Sequence, residues 1–191
     1  VNAGAERSGE IFILSIIIVV TSRRSKKMEN IRMREFPLLL LCIVICQAAG
    51  FIGSFFTNMS VSTWYLSLAK PWFTPPGWLI GLVWFILFVL MGVSMFFIWR
   101  NNLRLNNPPI KNAIVLFGVQ LIVNVLWSAI FFGLRSPIAG LGAIAALWIL
   151  ILVTIIMFWR VSRDAALLLV PYILWVSFAA YLNYTVWVLN P

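Results

Sequence analysis

The sequence predicts an all-α integral membrane protein, a bundle of five transmembrane helices with a long lid loop between helices 1 and 2. Two observations carry this. Of 191 residues, 63% are hydrophobic and 10% are charged, where a soluble domain carries about a quarter charged. Five apolar stretches also reach the roughly 20 residues that a helix needs to cross a bilayer. The net charge of +9 raises nucleic acid as a partner. The basic residues cluster at the ends of the apolar stretches, however, where membrane topology places them. Membrane lipid is the expected partner, and nucleic acid is not.

The first span runs from about Phe36 to Thr57, the second from Trp78 to Trp99 and the third from Ile110 to Leu134, with Lys111 near its start. The fourth covers Ile138 to Trp159 and the fifth Ala165 to Leu189. Each stops at turn chemistry: "NNLRLNNPP", "RSP" and "RVSRD" follow spans two, three and four. Residues 36–190 form one transmembrane domain without an internal repeat. Arg32 and Arg34 precede span one, Arg100, Arg104 and Lys111 join spans two and three, and Arg160 and Arg163 join four and five. The opposite side carries only Lys70 and Arg135. Positive-inside bias then puts the N-terminus in the cytoplasm and the C-terminus outside.

Residues 1–35 read as an N-terminal extension on the cytoplasmic side. The run from Ile11 to Val20 is too short to span, and its basic cluster "RRSKK" follows the apolar residues, the reverse of a secretory signal. Residues before Met28 are therefore expected to be a mis-called start or an appended tail.

Polar groups inside spans are costly, so the few present are informative. Gln120, Asn124, Trp127, Ser128 and Phe131 share one face of span three. Tyr172, Trp175, Ala179 and Asn183 form a second stripe on span five, and Gly77, Gly81, Trp84 and Phe88 a third on span two. Three helices thus contribute to one aromatic, partly polar, uncharged interior. Periodicity does not separate a ligand-lined face from a packed one, because amides also join helices. Trp99, Trp148, Trp159 and Trp187 read as interface or packing residues. Span four carries small residues at Ala139 and Ala143 and at Gly142 and Ala146, a spacing expected to serve packing within the bundle.

The chain has no histidine, which removes the commonest metal ligand and acid–base group. Cys42 and Cys46 read as small buried hydrophobes, and no metal site is expected. The acidic residues Glu6, Glu10, Glu29, Glu35 and Asp164 all fall outside the spans. Proton-coupled pumping normally needs ionisable groups within the membrane. A neutral aromatic cavity instead suits a flat, largely apolar ligand.

The segments "WYLSLAKPWFTPPGWLIGLVW" (Trp64 to Trp84), "QLIVNVLWSAIFF" (Gln120 to Phe132) and "LVPYILWVSFAAYLNYTVW" (Leu169 to Trp187) resemble the tryptophan-rich sensory protein/translocator protein (TspO) family. The resemblance covers roughly Phe36 to Asn190 and keeps the family's motif order. It implies a membrane receptor or sensor-like protein, often a homodimer, that binds tetrapyrroles such as protoporphyrin IX and haem and requires no cofactor. A sterol- or lipid-binding transporter is an alternative it also implies. Trp84, Asn124, Trp175 and Ala179 would line the cavity, with Gln120, Trp127, Ser128 and Phe131 from span three. Phe88, Tyr172 and Asn183 join them from the stripes. Trp64, Tyr65 and the Lys70–Gly77 segment, with Pro75 and Pro76, would form the lid. Some members degrade protoporphyrin in light, which would make Trp84 and Trp175 catalytic. A bacterial cell membrane is the expected location.

Two departures stand out. The family's loop reads Lys-Pro-x-Trp-x-Pro-Pro, and here Phe73 replaces the tryptophan, with Trp72 beside it. Val188 stands where the animal sterol motif has a cation, so specific cholesterol binding is not expected. Trp72, Phe73 and Trp78 are expected to cover a flat ligand, and Lys70 to meet a carboxylate or a lipid headgroup.

Overall fold

The computed structural model describes residues 35–105 and 108–190, so residues 1–34, including Met28, Arg32 and Arg34, lie outside it. The chain divides into two compact units, Val1–Leu38 and Leu39–Pro191, and the second holds the whole of the site. Seven α-helices are described: α1 Glu35–Val61, α2 Trp64–Ser67, α3 Gly77–Leu105, α4 Pro108–Ser128, α5 Pro137–Trp159, α6 Arg163–Leu167 and α7 Val170–Leu189. Five membrane-length segments result, with α6 and α7 together making the fifth. The protein is a multi-pass integral membrane protein. A helix suits these long apolar runs, because it pairs every backbone N–H of its interior within its own segment, away from lipid.

Local chemistry sets the ends. Ser136 caps α5 by accepting from the Ala139 N–H at 3.3 Å, with Pro137 in the first turn. Ser162 caps α6 in the same way through Ala165, at 3.4 Å. The fifth segment breaks at Leu168–Leu169, just before Pro171, whose ring nitrogen has no hydrogen to continue the ladder.

The third segment changes its winding near its end. From Ala129 to Gly133 it winds as a π-helix, closed by the Leu134 N–H on the Ala129 carbonyl at 2.9 Å. The wider turn shifts the helical phase at Phe131 and Phe132. The Ser60 hydroxyl donates to the Phe132 carbonyl at 2.7 Å, tying the end of α1 to this turn.

Close packing, rather than hydrophobic drive, joins helices within a bilayer. Helix α5 packs against both α4 and α7 through the buried Ile144, Leu147, Ile151 and Phe158. Phe158 stacks on Phe117 of α4 at 5.7 Å. The Ser94 hydroxyl donates to the Ala165 carbonyl at 2.7 Å and joins α3 to α6. On α5 the glycine that packs inward is Gly140, where a Cβ would stand 2.8 Å from Phe131. Of the small residues expected to pack within the bundle, Ala139, Gly142 and Ala146 are exposed and Ala143 is half-buried, and nothing lies within 4 Å of a Cβ on Gly142.

Candidate functional site

A cavity of about 800 Å³ lies among α1, α3, α4 with its π turn, and α7. Its volume falls within the roughly 300–1,000 Å³ typical of small-molecule sites. Of the residues singled out in the sequence, Tyr65, Pro75, Trp84, Phe88, Asn124, Trp127, Ser128, Phe131, Trp175, Ala179 and Asn183 line it. Trp64, Pro76, Gln120 and Tyr172 do not. No lining residue carries a formal charge, and among the described residues no group of histidine, cysteine, aspartate or glutamate could hold a metal.

The aromatic wall is continuous. Trp84 stacks on Phe88 at 5.7 Å, lies 6.4 Å from Trp127, and meets Tyr172 edge-on at 6.2 Å. Trp127 stacks on Phe131 at 5.7 Å. Offset and edge-on arrangements of this kind are favoured by the ring quadrupoles. Gly140 makes room for Phe131 and for the Asn183 amide, whose oxygen would lie 3.0 Å from an added Cβ.

Most of the polar groups on these stripes hold helices together. The Asn124 amide donates to the Tyr172 hydroxyl at 2.7 Å, joining α4 to α7, and the Tyr172 ring meets the indole of Trp84 edge-on. The Trp127 indole donates to Asn183 at 3.3 Å, and Asn183 donates in turn to the Pro137 carbonyl at 2.8 Å. Helices α4, α5 and α7 are thereby cross-tied around the cavity. The Trp175 indole N–H, on a lining residue, and the Gln120 side-chain amide are buried without a hydrogen-bond partner among the described residues.

The connector between α1 and α3 bears Tyr65 and Pro75 on the cavity. Tyr65 packs edge-on against Phe131 and Phe132, and its burial raises the phenol above the ordinary tyrosine range. Lys70 donates to the Leu66 and Leu68 carbonyls at 3.2 Å and lies 4.9 Å over the Tyr65 ring. Asn190 at the end of α7 accepts from the Ala69 N–H and donates to the Ala69 carbonyl. Phe73 stacks on Tyr181 at 5.3 Å and flanks Phe178. None of the three rings expected to cover a ligand lines the cavity. Trp72 is 96% exposed and Trp78 71% exposed, and neither lines the cavity. Phe73 packs on α7.

Helix α1 supplies a further wall, beyond the stripes on spans two, three and five. Gln47, Gly50, Ser54, Thr57, Asn58 and Val61 all line the cavity. Their spacing is helical, and the polar residues at positions 47, 54, 57 and 58 were the signal that could have found this face.

The model of the TspO/MBR family matches residues 42–188. A tryptophan-rich protein TspO of Chlorobaculum tepidum is 49% identical over 162 residues, which cover 83% of this chain and 99% of the relative. A protein of the same name in Archaeoglobus fulgidus is 44% identical, over 80% of this chain and 96% of the relative. The human translocator protein is 35% identical over 147 residues, covering 72% and 80%.

Proposed function

The chain belongs to the TspO/MBR family of membrane proteins, and from that membership and its cavity we propose a membrane receptor or sensor-like protein. Its ligands are tetrapyrroles (protoporphyrin IX and haem-type rings) and related flat hydrophobic molecules, whose levels or movement it regulates. The observation that carries this reading is the uncharged, aromatic-rich lining of the 800 Å³ cavity. Such a lining holds an extended π system by stacking, while a buried charge would cost too much without a partner.

In this reading Trp84, Phe88, Trp127 and Phe131 stack on the ring. Asn124, Ser128 and the unpartnered Trp175 N–H offer its hydrogen bonds. Tyr65 and Pro75 close the lid side, and the connector's Lys70 serves the ligand's carboxylates or a lipid headgroup. The N-terminus is cytoplasmic and the C-terminus outside in a bacterial cell membrane, and the protein acts as a homodimer. Saturable quenching of tryptophan fluorescence by protoporphyrin IX, weakened in Trp175→Ala and Asn124→Ala, is the expected result. Unchanged affinity in both variants would remove the cavity from the account.

The indoles of Trp84 and Trp175, both on the cavity lining, support a second reading. Both are oxidisable groups held beside the ligand space, so the cavity would break down bound porphyrin in light with dioxygen as oxidant. A new product spectrum that is lost in Trp84→Phe or Trp175→Phe while binding persists would establish it. Bleaching no faster than in detergent alone would rule it out.

A further inference from the structure

Helices α1 and α3 run antiparallel and pack closely over only part of their shared length. A Cβ at Gly92 would stand 2.6 Å from the Ile43 Cα, and one at Gly50 would stand 2.5 Å from the Phe88 ring. There the two helices are closed against each other. The Gln47 amide donates to the Phe85 carbonyl at 3.0 Å and bridges them.

Toward the connector the same register brings Ser54 level with Gly81 and Asn58 level with Gly77. On either glycine a Cβ would have nothing within 4 Å. All four residues are exposed, and all four line the cavity. The cavity therefore opens sideways between two membrane-length helices, toward their connector ends. The path past the connector is held by the Asn190–Ala69 pair and by Phe73 on Tyr181.

We propose that the cavity exchanges its ligand laterally with the bilayer through this slot between α1 and α3, with the Gln47–Phe85 bond as its sill, rather than with water past the connector. The ligand's identity rests on the function proposed above, whereas the route rests on the slot. Apolar surface gains about 25 cal/mol per Å² on leaving water, so a flat apolar molecule concentrates in lipid, beside the slot. The slot is suited to such a passage. Its glycines leave width, none of its walls is charged, and the Ser54 hydroxyl is satisfied by the Phe51 carbonyl at 2.7 Å.

The test needs no porphyrin. Ser128, a cavity-lining residue, is changed to cysteine in a chain whose Cys42 and Cys46 are alanine, and the protein is reconstituted in vesicles. A bilayer-dissolved maleimide is expected to label it about tenfold faster than a membrane-impermeant sulfonated maleimide supplied on the connector side. Gly81→Leu, or Gly77→Leu if the first fails to fold, should slow the bilayer reagent about fivefold. Asn190→Ala, which frees the connector, should leave that reagent's rate unchanged. Equal labelling by the two reagents would overturn the lateral route. So would indifference to a side chain in the slot, or protection from the bilayer reagent by a second copy seated over the slot. A protein that labels from the bilayer yet fails to bind protoporphyrin keeps the slot and loses the proposed ligand.

Discussion

Asn190 pairs with Ala69 as one peptide group pairs with another: its side-chain oxygen accepts from the Ala69 N–H at 2.9 Å, and its side-chain nitrogen donates to the Ala69 carbonyl at 3.0 Å. The same nitrogen reaches the Val186 carbonyl at 2.7 Å, so the amide is anchored on α7 before it grips the connector. Two net hydrogen bonds are together worth about 1–3 kcal/mol. Asn190→Ala should therefore raise hydrogen exchange at Ala69 and its neighbours roughly five- to a hundredfold while leaving α4 and α5 protected. Exchange unchanged at Ala69 would show that Phe73 and the prolines hold the connector without the amide.

The glycines divide into two kinds, and substitution should separate them. Gly140→Ala would drive a methyl to 2.8 Å from Phe131 and 3.0 Å from the Asn183 amide. Overpacking of this sort costs about 1–3 kcal/mol, so thermal unfolding in detergent should move to lower temperature. Gly142→Ala adds a methyl to open space on the same helix and should be neutral or slightly stabilising, because alanine is the better helix former. Equal destabilisation by the two would contradict the packing described for α5.

Asn124 and Tyr172 act as a unit within the membrane. Tyr172 is 1% exposed, and its hydroxyl accepts from the Asn124 amide. Removing one partner leaves a buried polar group, at about 1–3 kcal/mol. The pair Asn124→Ala and Tyr172→Phe should therefore cost less than the sum of the single changes, by roughly 0.5–2 kcal/mol in unfolding free energy. Strict additivity would mean that each group finds another partner when the bond is lost.

Much of this architecture is legible in the sequence because lipid imposes so simple a demand. Long apolar runs ended by basic and turn residues define the five spans, and the stripes on spans two, three and five contain most of the cavity's aromatic wall. What stays hidden has physical causes. The π turn at Ala129–Gly133 has no composition signal, since it differs from an α-turn by one residue of winding. Gln120 and Tyr172 share the stripes' spacing but sit off the cavity, because helix rotation is set by partners that periodicity does not name. Gly140 and Gly142 look alike in sequence, and only the arrangement of α4 and α7 decides which is crowded. The wall on helix α1 is hard to see in sequence because its polar residues, Gln47, Ser54, Thr57 and Asn58, are mild beside the tryptophans elsewhere.

The most direct test of the central claim, that the aromatic cavity is a tetrapyrrole site, is a fluorescence titration of the purified protein in the dark with protoporphyrin IX, run beside a sterol. A tetrapyrrole site should give saturable quenching at about one porphyrin per chain, an affinity roughly three- to tenfold weaker in Trp175→Ala, and no displacement by the sterol. Quenching that never saturates, or an affinity indifferent to Trp175 and Asn124, would contradict it.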